Sequence, residues 1–127
     1  MPYLEIISPV LPAETKQRIA HGVTDAVVTA FDVKPATVTV FFLPVEGHDY
    51  AHAGLPGYDD GRPVRILIKV HAYRRDVDAR RRAAAAITTA FHDACAPMVT
   101  DTAVYFFDRN LDEVAHDGML ASDHAHA

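Results

Sequence analysis

Thr29-Ala30-Phe31 recurs sixty positions later as Thr89-Ala90-Phe91, and each copy is followed within six residues by a proline and then by a run ending in aromatics. Self-similarity at a fixed spacing marks a repeated supersecondary unit. In the first unit, residues 3–7 alternate as a strand with Leu4 and Ile6 on the face of Pro2, and Ser8-Pro9-Val10-Leu11-Pro12 breaks it. Pro12 suits the first turn of a helix and Glu14 its positive end. That helix runs to about Phe31 on an apolar stripe of Ile19, Val23, Ala26, Val27, Ala30 and Phe31, weakened locally by Gly22. Residues 37–43, rich in β-branched and aromatic types, then form a strand that Pro44 ends.

The second unit repeats the plan. Val64, Ile66, Ile68, Val70 and Ala72 alternate with Arg65, Leu67, Lys69, His71 and Tyr73, giving a strand with one apolar and one mixed face. Asp76 is placed to cap a helix whose stripe is Ala83, Ala84, Ile87, Ala90, Phe91 and Ala94. Arg80, Arg81 and Arg82 read as its solvated side, paired at i to i+4 with Asp76 and Asp78. Pro97 follows, then a strand over 102–107.

Two strand-helix-strand units with right-handed crossovers predict an α+β fold, a four-stranded mixed sheet with both helices on one face. The chain divides as one domain: repeat 2–44, a loop 45–63 holding four of the six glycines and room for a short hairpin, repeat 64–107, and an extension 108–127 with a turn or strand near 113–120. The uncovered sheet face, to which Leu4, Phe41 and Leu67 are assigned, predicts a homo-oligomer.

The strand that opens the first unit begins at the second residue. Removal of Met1 before a small residue leaves Pro2 as a secondary amine able to exchange a proton, which an internal proline cannot do. Apolar burial and nearby cations both favour its neutral, basic form.

Composition narrows the function. With 12 basic against 17 acidic residues the formal charge is -5, which disfavours nucleic acid as the main partner and requires an anionic substrate to find local cations. The single Cys95 excludes an intrachain disulfide framework and fits a reducing cytoplasm. No leader-like segment and no run long enough for a membrane span occurs. A Gly-rich phosphate loop and a Gly-x-Ser-x-Gly elbow are both missing, which disfavours nucleotide and serine hydrolase chemistry.

Met1-Pro2, the helix ending in Val27-Val28-Thr29-Ala30-Phe31, and Val104-Tyr105-Phe106 in that order and spacing resemble the tautomerase superfamily. Its members include 4-oxalocrotonate tautomerase, macrophage migration inhibitory factor, malonate semialdehyde decarboxylase and cis-3-chloroacrylic acid dehalogenase. The resemblance covers roughly residues 1–120 and implies a trimer with Pro2 as catalytic base or acid. It also implies that an arginine after the third strand, here Arg74 or Arg75, binds the substrate carboxylate, as a guanidinium fork can. Tyr105 matches a tyrosine that dehalogenase-like members set beside their proline. The departures are Val27 for their histidine, His116 for their water-activating glutamate, Thr37 for the decarboxylase aspartate, and Leu11 and Thr39 for the two arginines of short 4-oxalocrotonate tautomerases.

The combined reading is a cofactor-independent tautomerase in which neutral Pro2 shuttles a proton between oxygen and carbon of a small enol or 2-keto carboxylic acid, with Arg75 and Arg74 as carboxylate ligands. His116, beside Asp117, is a candidate for proton traffic, and His48 faces substrate if its loop folds over the pocket. His48, Asp49 and His52 are residue types that bind metals, but the signal is weak without cysteine partners, and no metal is expected. Asp123-His124-Ala125-His126 reads as a solvated tail. The alternatives are dehalogenase-like hydration, decarboxylase-like chemistry, and a non-catalytic trimer binding a ligand or protein.

Overall fold

The computed structural model describes residues 1–58 and 61–124, so His126 lies outside the described residues. In chain order they form β1 (Tyr3–Ser8), α1 (Ala13–Phe31), β2 (Thr39–Pro44), β3 (Ala51–His52), β4 (Leu55–Pro56), β5 (Val64–Tyr73), α2 (Val77–Cys95), β6 (Thr100–Arg109), β7 (Ala115–His116), β8 (Met119–Leu120) and α3 (Ala121–His124). Among the described residues the main sheet has the order β2-β1-β5-β6. Each outer strand is parallel to its inner neighbour, and the two inner strands are antiparallel. The repeat in the sequence is thus two β-α-β units set edge to edge. No helix among the described residues is long and apolar enough to cross a membrane.

The helix stripes bury as their spacing requires. Ile19, Val23 and Val27 of α1 and Ala83, Ile87 and Phe91 of α2 close over Leu4, Ile6, Ile66, Ile68 and Val70 of the central strands. Asp76 caps α2, its Oδ1 accepting from the Ala79 amide at 2.8 Å. Gly22 does more than weaken α1: a Cβ there would stand 2.9 Å from the Ala90 Cβ, so the glycine sets how closely the helices approach. Leu11 is buried in the same core.

The sequence reading needs three corrections. Leu4 belongs to the helix-covered face, because it shares the alternation of Pro2 and Ile6; the open face carries Tyr3, Phe41, Leu43, Leu67, Tyr105 and Phe107. Thr37 is in a short 3-10 turn with its hydroxyl donating to the Lys34 carbonyl, so β2 starts at Thr39. The helix ion pairing is not i to i+4: Arg81 meets Asp78 at 2.7 Å one position nearer, and Arg80 reaches Asp108 at 3.5 Å.

The loop between the units contains the short hairpin β3–β4 and is fastened by two stacked tyrosines. Tyr58 donates to the Val45 carbonyl at 2.8 Å, and the Tyr50 hydroxyl accepts from the Arg65 amide at 3.1 Å. After β6, the extension forms a 3-10 turn, the hairpin β7–β8, within the stretch read as a turn or strand, and α3.

Candidate active site

Pro2 is fully buried at the head of β1, where its carbonyl accepts from the Thr39 amide at 3.2 Å. This bond, continued by the β1–β2 ladder, brings Thr37 and Thr39 beside the proline end. On the other flank the antiparallel register sets Tyr3 opposite His71, and the β5–β6 register sets His71 opposite Phe107 and Tyr73 opposite Arg109. The chain then turns back over this end. Asn110 and Glu113 form a reciprocal capping box, with the Glu113 carboxylate accepting from the Asn110 amide at 2.9 Å. That turn carries Val114, Ala115 and His116 over the mouth, and His116 Nε2 lies 3.3 Å from the Tyr73 hydroxyl.

Together these elements enclose an open cavity of about 830 Å³. Its chemistry comes from Pro2, Thr37, Thr39, His71, Arg109 and His116, with Tyr3, Phe41 and Val114 giving apolar wall. Glu113 also lines it, but spends one carboxylate oxygen on the turn. One guanidinium N–H of Arg109 is committed, to the Asp108 carbonyl at 3.1 Å. The fork is therefore anchored and retains further donors for an anion.

Of the residues singled out in the sequence, the fold brings Pro2 and His116 together in this cavity, with Thr37 and Thr39 beside them. The others stand elsewhere in the chain. Arg75 lies over the Phe31 ring at 5.0 Å and donates to the Tyr73 carbonyl at 2.9 Å. Arg74 is exposed and pairs with Asp108 at 3.5 Å. Tyr105 projects from the open sheet face at 53% exposure. His48 is exposed, 3.5 Å from Asp49, and does not line the cavity. Val27 is sealed in the core.

Two contributors were not singled out. Arg109 lies two residues past the expected end of the fourth strand, where the apolar pattern has stopped; only the ladder's continuation to Tyr73 puts it at the site. His71 was readable as a member of the mixed face of β5, but its position beside Pro2's end depends on which strand pairs with which.

Residues 2–56 match the family model described as tautomerase enzyme. Three solved structures illustrate the likeness of the whole chain. Pt0534 inactivated by 2-oxo-3-pentynoate is 21% identical with a TM-score of 0.84, over 96% of this chain and 98% of that one. A fused 4-OT solved as a symmetric trimer is 19% identical with a TM-score of 0.82, over 94% and 96%. FG41 malonate semialdehyde decarboxylase inhibited by 3-bromopropiolate is 19% identical with a TM-score of 0.76, over 98% and 95%. Among curated proteins no sequence matches. The expected fold, two β-α-β units with both helices on one face of a mixed sheet, is the one these structures share.

Proposed function

We propose that this chain, a member of the tautomerase family over residues 2–56 and of its fold throughout, is a cofactor-independent isomerase acting on a small enol or 2-oxo carboxylic acid. Once Met1 is removed, the Pro2 nitrogen takes and returns the proton at carbon, and Arg109 holds the carboxylate. The observation that carries this reading is the shared cavity, which a buried proline and an anchored guanidinium line together. Burial of Pro2 favours the neutral amine, and the cation acts in the same direction. Arg109 takes the role that the sequence suggested for Arg75, because Arg75 is spent on Phe31 and the backbone. The inactivation of Pt0534 by an acetylenic 2-oxo acid supports the substrate class.

The test is Pro2→Ala in protein whose intact mass shows Met1 removed. Positioned proton transfer contributes roughly 100- to 10,000-fold, so ketonisation of 2-hydroxymuconate or phenylenolpyruvate should fall by that order. In wild type, a 3-bromopropiolate adduct should map to Pro2. Undiminished turnover in Pro2→Ala would remove Pro2 from the mechanism.

A second reading rests on His116, held 3.3 Å from Tyr73 at the mouth. There the pair would direct water at an activated alkene or alkyne while a protonated Pro2 acts as acid. Incubation with 3-haloacrylates and propiolates, followed by NMR, separates hydration from isomerisation. Decarboxylation ranks lower, since Thr37 has no carboxylate to offer.

We also propose a homotrimer. Phe41 and Tyr105, 51% and 53% exposed, make the open sheet face apolar, and one fused 4-OT of the same fold is a symmetric trimer.

A further inference from the structure

The duplication does not end with the β-α-β units. Each is followed by a 3-10 turn and a short hairpin, Gly47–Asp49 before β3–β4 and Leu111–Glu113 before β7–β8. The strand pairs match: Ala51 with Pro56 and His52 with Leu55 in the first, Ala115 with Leu120 and His116 with Met119 in the second. Both hairpins turn through two residues at positive φ, Ala53 and Gly54 in one and Asp117 and Gly118 in the other. Both close on an amide-to-carbonyl bond of 2.8 Å, from Gly57 to Tyr50 and from Ala121 to Val114. Val114 and Ser122 therefore hold the positions that Tyr50 and Tyr58 hold in the first hairpin.

The two hairpins differ in what they enclose. In the first, Tyr50 and Tyr58 stack at 4.4 Å beside the start of β5, and the space they leave with Pro63 and Val64 is about 20 Å³. In the second, Val114 and the start of β1 line the cavity of about 830 Å³. The copy that lies over Pro2 thus carries small side chains where the other copy carries an aromatic pair.

The fixed charges of the cavity are few. Among the described residues, Arg109 is the one Lys or Arg that lines it and Glu113 the one Asp or Glu. Glu113 Oε1 accepts from the Asn110 amide at 2.9 Å, which leaves the other oxygen and the negative charge to the cavity. The histidines are engaged. The His71 ring lies between those of Tyr3 and Phe107 with Nε2 2.7 Å from Glu5, and His116 Nε2 is 3.3 Å from the Tyr73 hydroxyl. A carboxylate held by Arg109 therefore uses the fixed positive charge, and a second carboxylate would meet Glu113. An apolar tail would instead lie against Tyr3, Phe41, Val114 and Ala115.

We propose that the cavity selects 2-oxo acids with a single carboxylate and an uncharged, apolar tail, and that Val114 and Glu113 set the selection. Val114 leaves room for the tail, and Glu113 repels a second carboxylate. The assignment rests on the isomerase reading of Pro2 and Arg109.

Three 2-oxo acids that share a C3 methylene test it in full-length, Met1-free protein. 2-Oxobutyrate ends in a methyl, 2-oxohexanoate in a longer alkyl chain, and 2-oxoglutarate in a second carboxylate. Exchange of their C3 hydrogens for deuterium, followed by NMR, gives kcat/KM for each. In wild type, 2-oxohexanoate should exceed 2-oxobutyrate by about tenfold, as two more buried methylenes allow, and 2-oxoglutarate by about tenfold or more. Glu113→Gln keeps an acceptor for the Asn110 amide but removes the charge. It should raise the ratio of 2-oxoglutarate to 2-oxohexanoate about fivefold, and added salt should shrink that gain. Val114→Tyr should lower the ratio of 2-oxohexanoate to 2-oxobutyrate about tenfold. Labelling of Pro2 by 3-bromopropiolate in each variant shows the cavity kept. A wild type that prefers 2-oxoglutarate, or ratios unmoved in the two labelled variants, overturns the selectivity while leaving Pro2's role untouched. If wild type exchanges none of the three acids and Pro2 takes no label, the isomerase reading itself falls and this assignment with it.

Discussion

The guanidinium of Arg75 stands 5.0 Å over the ring of Phe31, the last residue of α1, while Arg109 reaches the cavity that Pro2 opens. Two arginines close to the same strand end thus have separate work. One joins the helix layer to the sheet, and the other lines the cavity with its guanidinium anchored on the Asp108 carbonyl.

Their variants should separate cleanly. Arg109→Ala should raise KM for a 2-oxo acid by about 10- to 100-fold, the range of about 1.5–3 kcal/mol for a hydrogen bond to a charged group. Arg75→Ala should leave kcat/KM within about threefold and lower the melting temperature by a few degrees, since a cation–π contact contributes about 0.5–1 kcal/mol. Steady-state kinetics and a thermal melt on the two variants decide it. The reverse pattern would return the carboxylate to Arg75.

The two arginines mark what a sequence of this kind exposes and what it hides. Periodicity gave the strands, the helices and their buried stripes because burial acts residue by residue along the chain. The duplicated unit then fixed the sheet. Pro2 could be found because its chemistry follows from its position beside Met1. The place of Arg75 could not be read, since a guanidinium on a long stem can swing to either side of a strand end, and the contact it makes is with Phe31, more than forty residues earlier. The same limit hid His71. Its partners Glu5, Tyr3 and Phe107 come from two other strands, so its environment exists only after the register is known.

Gly22→Ala should destabilise the protein even though alanine is the better helix former by about 1 kcal/mol. The new methyl would stand 2.9 Å from the Ala90 Cβ, a short side chain that cannot swing aside, so α1 and α2 must separate and loosen the core beneath them. A melting temperature several degrees below wild type is expected. The double variant Gly22→Ala/Ala90→Gly should recover much of the loss, because it moves the methyl to the other helix. A gain in stability from the single variant would show that the helices can part freely.

Leu43→Glu should break the proposed trimer without touching the cavity, which Leu43 does not line. Leu43 pairs with Ile7 on the same open face as Phe41, and a carboxylate buried there without a partner would be costly. Light scattering after size exclusion should give three chains for wild type and one for the variant. A variant that keeps the wild-type mass places the contact on another surface.

Alkaline pH should weaken the fold through two groups that can be distinguished. Burial pushes the Cys95 thiol above its ordinary 9.0, with Arg18 opposing, and burial followed by the charges of Tyr50 and Glu46 pushes Tyr58 above its ordinary 10.0. Each raised value means that the folded state holds its proton more tightly than the unfolded chain does. The associated stability is therefore complete below the unfolded value and lost as pH climbs through the folded one. Denaturant midpoints measured from pH 7 upward should begin to fall near the thiol range and fall further in the phenol range. Cys95→Ala should remove the first decline relative to its own neutral-pH value, and Tyr58→Phe the second, at the expense of the 2.8 Å bond to Val45. The native thiol should react slowly with a disulfide reagent at pH 8 and at full speed in denaturant, because the thiolate is the attacking species and the fold disfavours it.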